Sequence, residues 1–492
     1  MNYKLEELSA IEIGSLVRNK EITALEVINY FIDRITLRNA SINAFTYTKF
    51  EEARSEAIKL DKRIANGEKV GLLAGVPFAL KDFLPNKKGW QSSHGGVKSM
   101  IAIDEIDSEF TKAMEKEDAI AIGKTNAPMF GFNVLCENKL YGVTSTPFMV
   151  GRNSGGSSGG SASAVADGLV PIAEGTDGGG SIRIPACYCS LVGLKPSIGL
   201  VPSVCRPDAW AATHPYCFDG CLTKTVDDTA LMLTLMKRFD PLDPLSVDYK
   251  DINYLEEVNK GVKGLKIAIT RGFDLFPCEK EISDKVFETA YKLKAEGAII
   301  EEVKFNFKNT CEEIVDQWCK GISFDSTIEL SILKEQGLDL IKDHRDELSE
   351  EFVQYFEKVS KSTIFDVHKF NCVRTNIVDT LEEVFKDYDI IISPTCGAFP
   401  PVNGKNCDTK VPDFINDMKV NLFGHVHTML TNFSGHPSCA VPCGLSKENL
   451  PIGLQVSGKR FKDDEVLRVA KTLEKINPWK DYYQIPLNRR KD

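Results

Sequence analysis

The chain has 492 residues and a net charge of −10, with 42% hydrophobic and 26% charged residues. That length allows one large or two medium domains, and the composition is ordinary for a globular protein. An acidic balance without basic clusters argues against a nucleic-acid surface. No run of about 18 apolar residues predicts a membrane-spanning helix. Met1–Glu7 lacks the apolar core of a secretion signal, so the expectation is a cytoplasmic protein with no membrane partner. The fourteen cysteines form no C-x₂-C pair and no Cys/His set at zinc-finger spacing. Without a secretion signal they are expected to be free thiols. His425 and His427 read as a polar strand or cap pair, and no metal or cofactor is expected.

In chain order, Ala10–Arg18 and Ala24–Ile35 carry apolar residues at helical spacing. Asn43–Tyr47 reads as a strand and Glu51–Ala65 as a helix. Apolar strands, such as Val76–Leu80, Ala119–Ile122 and Val170–Ala173, then alternate with helical stretches to about residue 200. Such alternation predicts an α/β sheet with helices on its faces. Ser161–Gly168 is small and apolar, as suits a helix packed closely under loops. From about 204 to 387 charged helical stretches dominate, the longest being Thr310–Glu335 and Ser349–Phe385, although strands are expected at Leu265–Thr270 and Ile299–Val303. Strands Asp389–Pro394, Ser438–Pro442 and Gly453–Ser457 follow, and a closing helix spans Asp463–Lys475. The expectation is one continuous domain over 1–492, with a core from about 1–203 and 388–492 and a helix-rich variable region at 204–387.

The most informative segments are two glycine-rich loops, Gly155-Gly156-Ser157-Ser158-Gly159-Gly160-Ser161 and Gly175-Thr176-Asp177-Gly178-Gly179-Gly180-Ser181-Ile182-Arg183. Glycine lets the backbone adopt positive φ and bring its N–H groups close to a bound atom. Successive inward N–H groups form a concavity for an anion. A serine ending such a loop lies beside a place for a developing oxyanion, which is acyl-transfer geometry. A serine hydroxyl needs a base to become a nucleophile. None of the seven histidines is near these loops in sequence. A second candidate is Lys81, at the end of the apolar segment Gly75–Leu80. A partly desolvated lysine has a lowered pKa and can serve as a neutral amine base. From the strand pattern alone, a lysine that simply caps a strand is the commoner reading.

The order and spacing of several pieces resemble the amidase signature family. They are Gly75-Val76-Pro77 through Lys81-Asp82, Gly123-Lys124-Thr125-Asn126, the two serine loops, and Val192-Gly193-Leu194-Lys195-Pro196. Ser434-Gly435-His436-Pro437, Val441-Pro442-Cys443-Gly444 and Leu450–Gln455 extend the resemblance to nearly the whole chain. The resemblance implies an amidase signature fold, a large mixed β-sheet covered by helices on both faces, and a Ser–Ser–Lys triad. In that frame Ser181 is the nucleophile. Ser157 is a bridging serine held by a cis peptide bond, and Lys81 is the base. The N–H groups of Gly178, Gly179, Gly180 and Ser181 would form the oxyanion hole. Ser158 would either bond Lys81 or cap the following helix. Asp177 and Arg183 would form a buried ion pair that shapes the loop, the favoured role, or touch substrate. The chain departs from the common family pattern at Gly178 (threonine is frequent), Met129 (glutamate) and Cys221 (proline).

Gly155-Gly156-Ser157-Ser158-Gly159 also fits the nucleophile elbow of α/β-hydrolases. That reading requires a preceding hydrophobic strand, whereas Thr146–Ser154 is loop-like, and it leaves Ser181 unexplained. The expected reaction is hydrolysis of a carboxamide or linear amide by a free-standing enzyme. The runner-up is the amidase subunit of a glutamyl-tRNA amidotransferase, which usually carries glutamine where this chain has Ile184. A non-catalytic scaffold is disfavoured because Lys81, Ser157 and Ser181 are all present. The partner expected is a small amide substrate, with homodimers common in the family. Substrate contacts would come mainly from the variable region, with Trp210, Trp318, Cys319 and Phe324 as candidates.

Overall fold

A computed structural model describes residues 3–489 except 85, 207, 212 and 421–422, so Met1 and Asn2 of the N-terminal reading lie outside the described residues. Eleven strands make one sheet. In chain order they are β1 (Phe45–Thr48), β2 (Pro77–Lys81), β3 (Ile120–Thr125), β4 (Ile172–Asp177), β5 (Val192–Lys195), β6 (Phe218–Thr223), β7 (Lys266–Ile269), β8 (Ile299–Glu302), β9 (Ile390–Pro394), β10 (Ser438–Leu445) and β11 (Pro451–Gly458). Their spatial order is β1-β3-β2-β4-β6-β5-β10-β11-β9-β7-β8. The sheet is mixed. Strand β2 runs parallel to both β3 and β4, and β7 runs parallel to β8 and β9. The middle strands from β4 through β6, β5, β10 and β11 to β9 are antiparallel. Their side chains are almost all buried, as strands covered on both faces must be.

Helix starts follow their local chemistry. Ala10–Arg18, Ala24–Ile42 and Cys311–Glu335 each begin with a reciprocal capping box, Ser9/Glu12, Thr23/Glu26 and Thr310/Glu313, which satisfies otherwise unpaired N–H donors. The second of these runs past the expected Ile35 and stops where Asn43 turns left-handed at φ 55°. The helical stretch expected over Ser349–Phe385 is two helices, Glu350–Val359 and Ile364–Phe385. Ser360–Thr363 interrupts it, and Thr363 caps the second helix through Asp366. Ser and Thr compete with the helix ladder for backbone groups, which explains the break. Three strands of the sheet, β6, β7 and β8, come from within 204–387, so the sheet is continuous across the variable region. Among the described residues, no helix is long and apolar enough to cross a membrane.

Two features place the functional loops. In the parallel pair β2–β4, Phe78 lies opposite Ile172 and Ala79 opposite Ala173. Lys81 and Thr176 therefore stand at the same carboxyl edge of the sheet, where ligands of α/β sheets gather. The helix Gly159–Ala166 is wholly buried and built of small residues. A Cβ on Gly160 would stand 2.4 Å from the Asn126 nitrogen, so only glycine permits this helix to lie so close to the sheet. Ser161 ties the contact with a 2.7 Å hydroxyl bond to Thr125.

Candidate active site

Lys81 ends β2 with its side chain 1% exposed. Its Nζ donates to Ser157 Oγ at 2.7 Å and to Thr176 Oγ1 at 2.8 Å. Burial pushes the ammonium down to about 8, against the opposing pull of Glu174 and Asp177. Glu174 lies beneath the lysine backbone and accepts from Lys81 N at 3.0 Å and Asn86 Nδ2 at 2.8 Å. Its own carboxyl is pushed up to about 7 by burial. Ser157 follows a cis peptide bond with Gly156 and is 2% exposed. Among the described residues, no histidine hydrogen-bonds to Ser157 or Ser181.

Ser158 does neither of the two things expected of it. Its hydroxyl does not cap the helix that follows, and the second bond of Lys81 goes to Thr176 instead. Ser158 Oγ lies 3.3 Å from the Thr176 nitrogen and 3.4 Å from its oxygen. Its N–H donates to Ser181 O at 3.1 Å. Ser158 thus splices the two serine loops together. No local signal sets Thr176 apart from the serine and glycines of the motif around it.

Asp177 and Arg183 meet as a fully buried ion pair, with Arg183 Nε and Nη2 each 2.9 Å from the carboxylate. The guanidinium also donates to Thr428 O, Thr431 Oγ1, Gln455 Oε1 and Asn432 Oδ1. Burial would push the Asp177 carboxyl up, but Arg183 and the Asn432 amide outweigh it and hold it at about 2. Asp177 in turn accepts from Gly180 N at 2.7 Å and Ile182 N at 3.2 Å. The pair fixes both ends of the turn that carries Ser181. Removing one partner leaves a buried charge unpaired, so Arg183→Met should cost about 3–5 kcal/mol of stability, read as a lowered urea midpoint.

The bond from Gly180 corrects the donor set expected from sequence. With its N–H committed to Asp177, Gly180 has no donor for a ligand. The N–H groups of Gly178, Gly179 and Ser181 have no protein acceptor among the described residues, and Thr176, Gly178 and Ser181 are the partly exposed positions of this turn. Of the variable-region candidates, Trp318 reaches the loop, its Nε1 donating to Gly178 O at 3.0 Å. Phe324 packs against His214 and Phe370, Cys319 is buried and Trp210 is largely exposed. No sequence signal separates Trp318 from the other three. All fourteen cysteines are free thiols.

A lysine amine, two hydroxyls and a set of free N–H donors at one sheet edge form a constellation suited to acyl transfer. A family profile described as Amidase matches residues 26–467. The chain belongs to the amidase signature family. A bacterial aryl acylamidase of that family superposes with a TM-score of 0.95 at 37% identity, covering 98% of this chain and 99% of its own. The acylamidase of Rhodococcus erythropolis is 31% identical over 97% of both chains. A glutamyl-tRNA(Gln) amidotransferase subunit of Alkaliphilus metalliredigens (strain QYMF) is 33% identical over 96% of both. Like its family, the protein is an amidohydrolase acting on amide C–N bonds.

Proposed function

We propose that this chain is a free-standing amidase that hydrolyses a carboxamide or linear amide through an acyl-enzyme on Ser181. The observation that carries the reading is the buried Lys81 Nζ at 2.7 Å from Ser157 Oγ. Neutral Lys81 takes the proton of Ser157, Ser157 takes that of Ser181, and Ser181 Oγ attacks the carbonyl carbon. The carbonyl oxygen becomes an oxyanion facing the free N–H groups of Gly178, Gly179 and Ser181. Each such donor is worth about 3 kcal/mol in the transition state. The proton returns through Ser157 to the departing amine, and water then cleaves the ester by the same relay.

The relay sets a pH dependence. Lys81 is protonated and inert as a base below its pKa, so kcat/KM should rise with pH through about 8 and level off above it. Glu174 pulls the lysine pKa up, so Glu174→Gln should move that limb to lower pH. A pH–rate series on both proteins checks the direction, and a limb that stays fixed in the variant would separate Glu174 from the base.

The second reading, an amidotransferase subunit that releases ammonia from glutamine for partner subunits, is favoured by the 33% identical relative. Against it stand Ile184, buried where such subunits usually carry glutamine, and the close superposition on an aryl acylamidase along the whole chain. The deciding experiment is ammonia and amine release by the isolated protein from aliphatic amides, aryl amides, short oligoamides and glutamine. Turnover of simple or aryl amides, absent in Ser181→Ala, is expected. Turnover of glutamine alone would support the subunit reading.

A further inference from the structure

The loop before Ser181 is held by its carbonyls. Trp318 Nε1–H donates to Gly178 O at 3.0 Å, and the Thr428 hydroxyl donates to Gly179 O at 2.5 Å. In a trans peptide the C=O and the following N–H point to opposite sides. The Thr428 bond therefore sends the Gly180 N–H to the other side, where it meets Asp177 at 2.7 Å. By the same geometry the Trp318 bond sends the Gly179 N–H away from the indole, and no protein acceptor meets it there among the described residues.

We propose that Trp318 is a positioning residue for the reaction, its indole N–H fixing the direction of the Gly179 N–H toward the developing oxyanion. The inference rests on the oxyanion reading of the Gly178–Ser181 turn given above. A buried indole needs an acceptor for its N–H, and the one it has lies on the nucleophile's own loop rather than in the helical core. The indole is also pinned from other directions. It is 3% exposed, and Phe423 meets it edge to face at 4.9 Å. A Cβ on Gly179 would stand 2.4 Å from Trp318 Cζ2, so only glycine admits the edge of the indole this close to the loop. Ile322, one turn along the same helix, approaches the Cβ position of Gly178 at 3.6 Å. The helix Cys311–Glu335, set by its capping box, thereby presents one face to the turn that stabilises charge. The variable part of the chain thus reaches the reaction through an orienting hydrogen bond as well as through any pocket it lines.

Trp318→Phe keeps an aromatic ring against Gly179 and Phe423 and deletes the donor. Three quantities are measured: kcat/KM on an aryl amide, Ki of a trifluoromethyl ketone that Ser181 converts to a hemiketal oxyanion, and Ki of the product carboxylic acid. A drop in kcat/KM of about 10- to 100-fold is expected, smaller than the loss of a direct donor. The hemiketal Ki should rise by the same factor, with the product-acid Ki nearly unchanged and the pH limb in place. A kcat/KM within twofold of the parent overturns the proposal. So does an equal weakening of both inhibitors, which would make Trp318 a pocket contact only. Should the Phe variant melt below the assay temperature, 3-benzothienylalanine at position 318 keeps the bicycle without the N–H and faces the same comparisons. Full activity in Ser181→Ala would bring down the reading of the loop itself. An inactive Ser181→Ala beside an unimpaired Trp318→Phe would bring down the role of Trp318 alone.

Discussion

Ser181→Ala, Ser157→Ala and Lys81→Ala should each lower kcat by about four to six orders of magnitude, and any pair should cost little more than one alone. Groups that act as a unit behave this way, because breaking one link already forfeits what the others supply. The geometry gives the reason. Lys81 is 2.7 Å from Ser157 Oγ, so in the proposed relay the amine acts on Ser181 only through Ser157. Without Lys81, Ser157 has no buried base at hand. Residual rate should come from the free N–H groups of Gly178, Gly179 and Ser181, which remain in every variant. Single and double variants assayed on one amide make the check. Strictly multiplying losses would mean independent roles and would defeat the relay.

Gly180→Ala should be the most damaging change outside those three residues, lowering kcat/KM by about 100-fold or more. Gly180 sits at φ +129°, a region that L-residues rarely enter. An added Cβ would lie 2.0 Å from Thr428 Oγ1 and 2.8 Å from Ile184 Cδ1. To admit the methyl, the turn must shift. The Gly180 N–H bond to Asp177 and the Thr428 bond to Gly179 O, at 2.7 and 2.5 Å, shift with it. Displacement of about 1 Å at a nucleophile commonly costs about 100-fold. The loss should fall on kcat more than on KM, with a lowered melting temperature. A fully active Gly180→Ala would mean that the turn does not hold the geometry assigned to it.

These elements differ in how legible they are in the sequence, for physical reasons. The serine loops were legible because runs of glycine are costly in entropy and persist where the backbone must turn tightly or approach closely. Lys81 ended an apolar strand and was by itself ambiguous, and only the spacing of distant motifs gave it a role. Thr176 stood in plain view inside the same motif. Its bond to Lys81 depends on the register of β2 against β4, which no local pattern specifies. The direction of the Gly180 N–H is hidden for a related reason. Residue type shows that a turn is possible but not which way each peptide plane faces, and here Asp177 takes the Gly180 N–H. Trp318 lies 140 residues from the carbonyl it bonds, and no local pattern says which loop its indole reaches. Of the two longest helical stretches, Thr310–Glu335 matches its helix, whereas Ser349–Phe385 is broken at Ser360–Thr363, where Ser and Thr offer the backbone other partners.

In the proposed relay Ser181, activated through Ser157 and Lys81, is the nucleophile. The most direct test is peptide mass spectrometry after reaction with a fluorophosphonate, which forms a stable adduct on an activated serine. A single adduct on Ser181, absent or greatly slowed in Lys81→Ala, is the predicted result. An adduct on Ser157 instead, or an enzyme that turns over amides while Ser181 stays unlabelled, would contradict it.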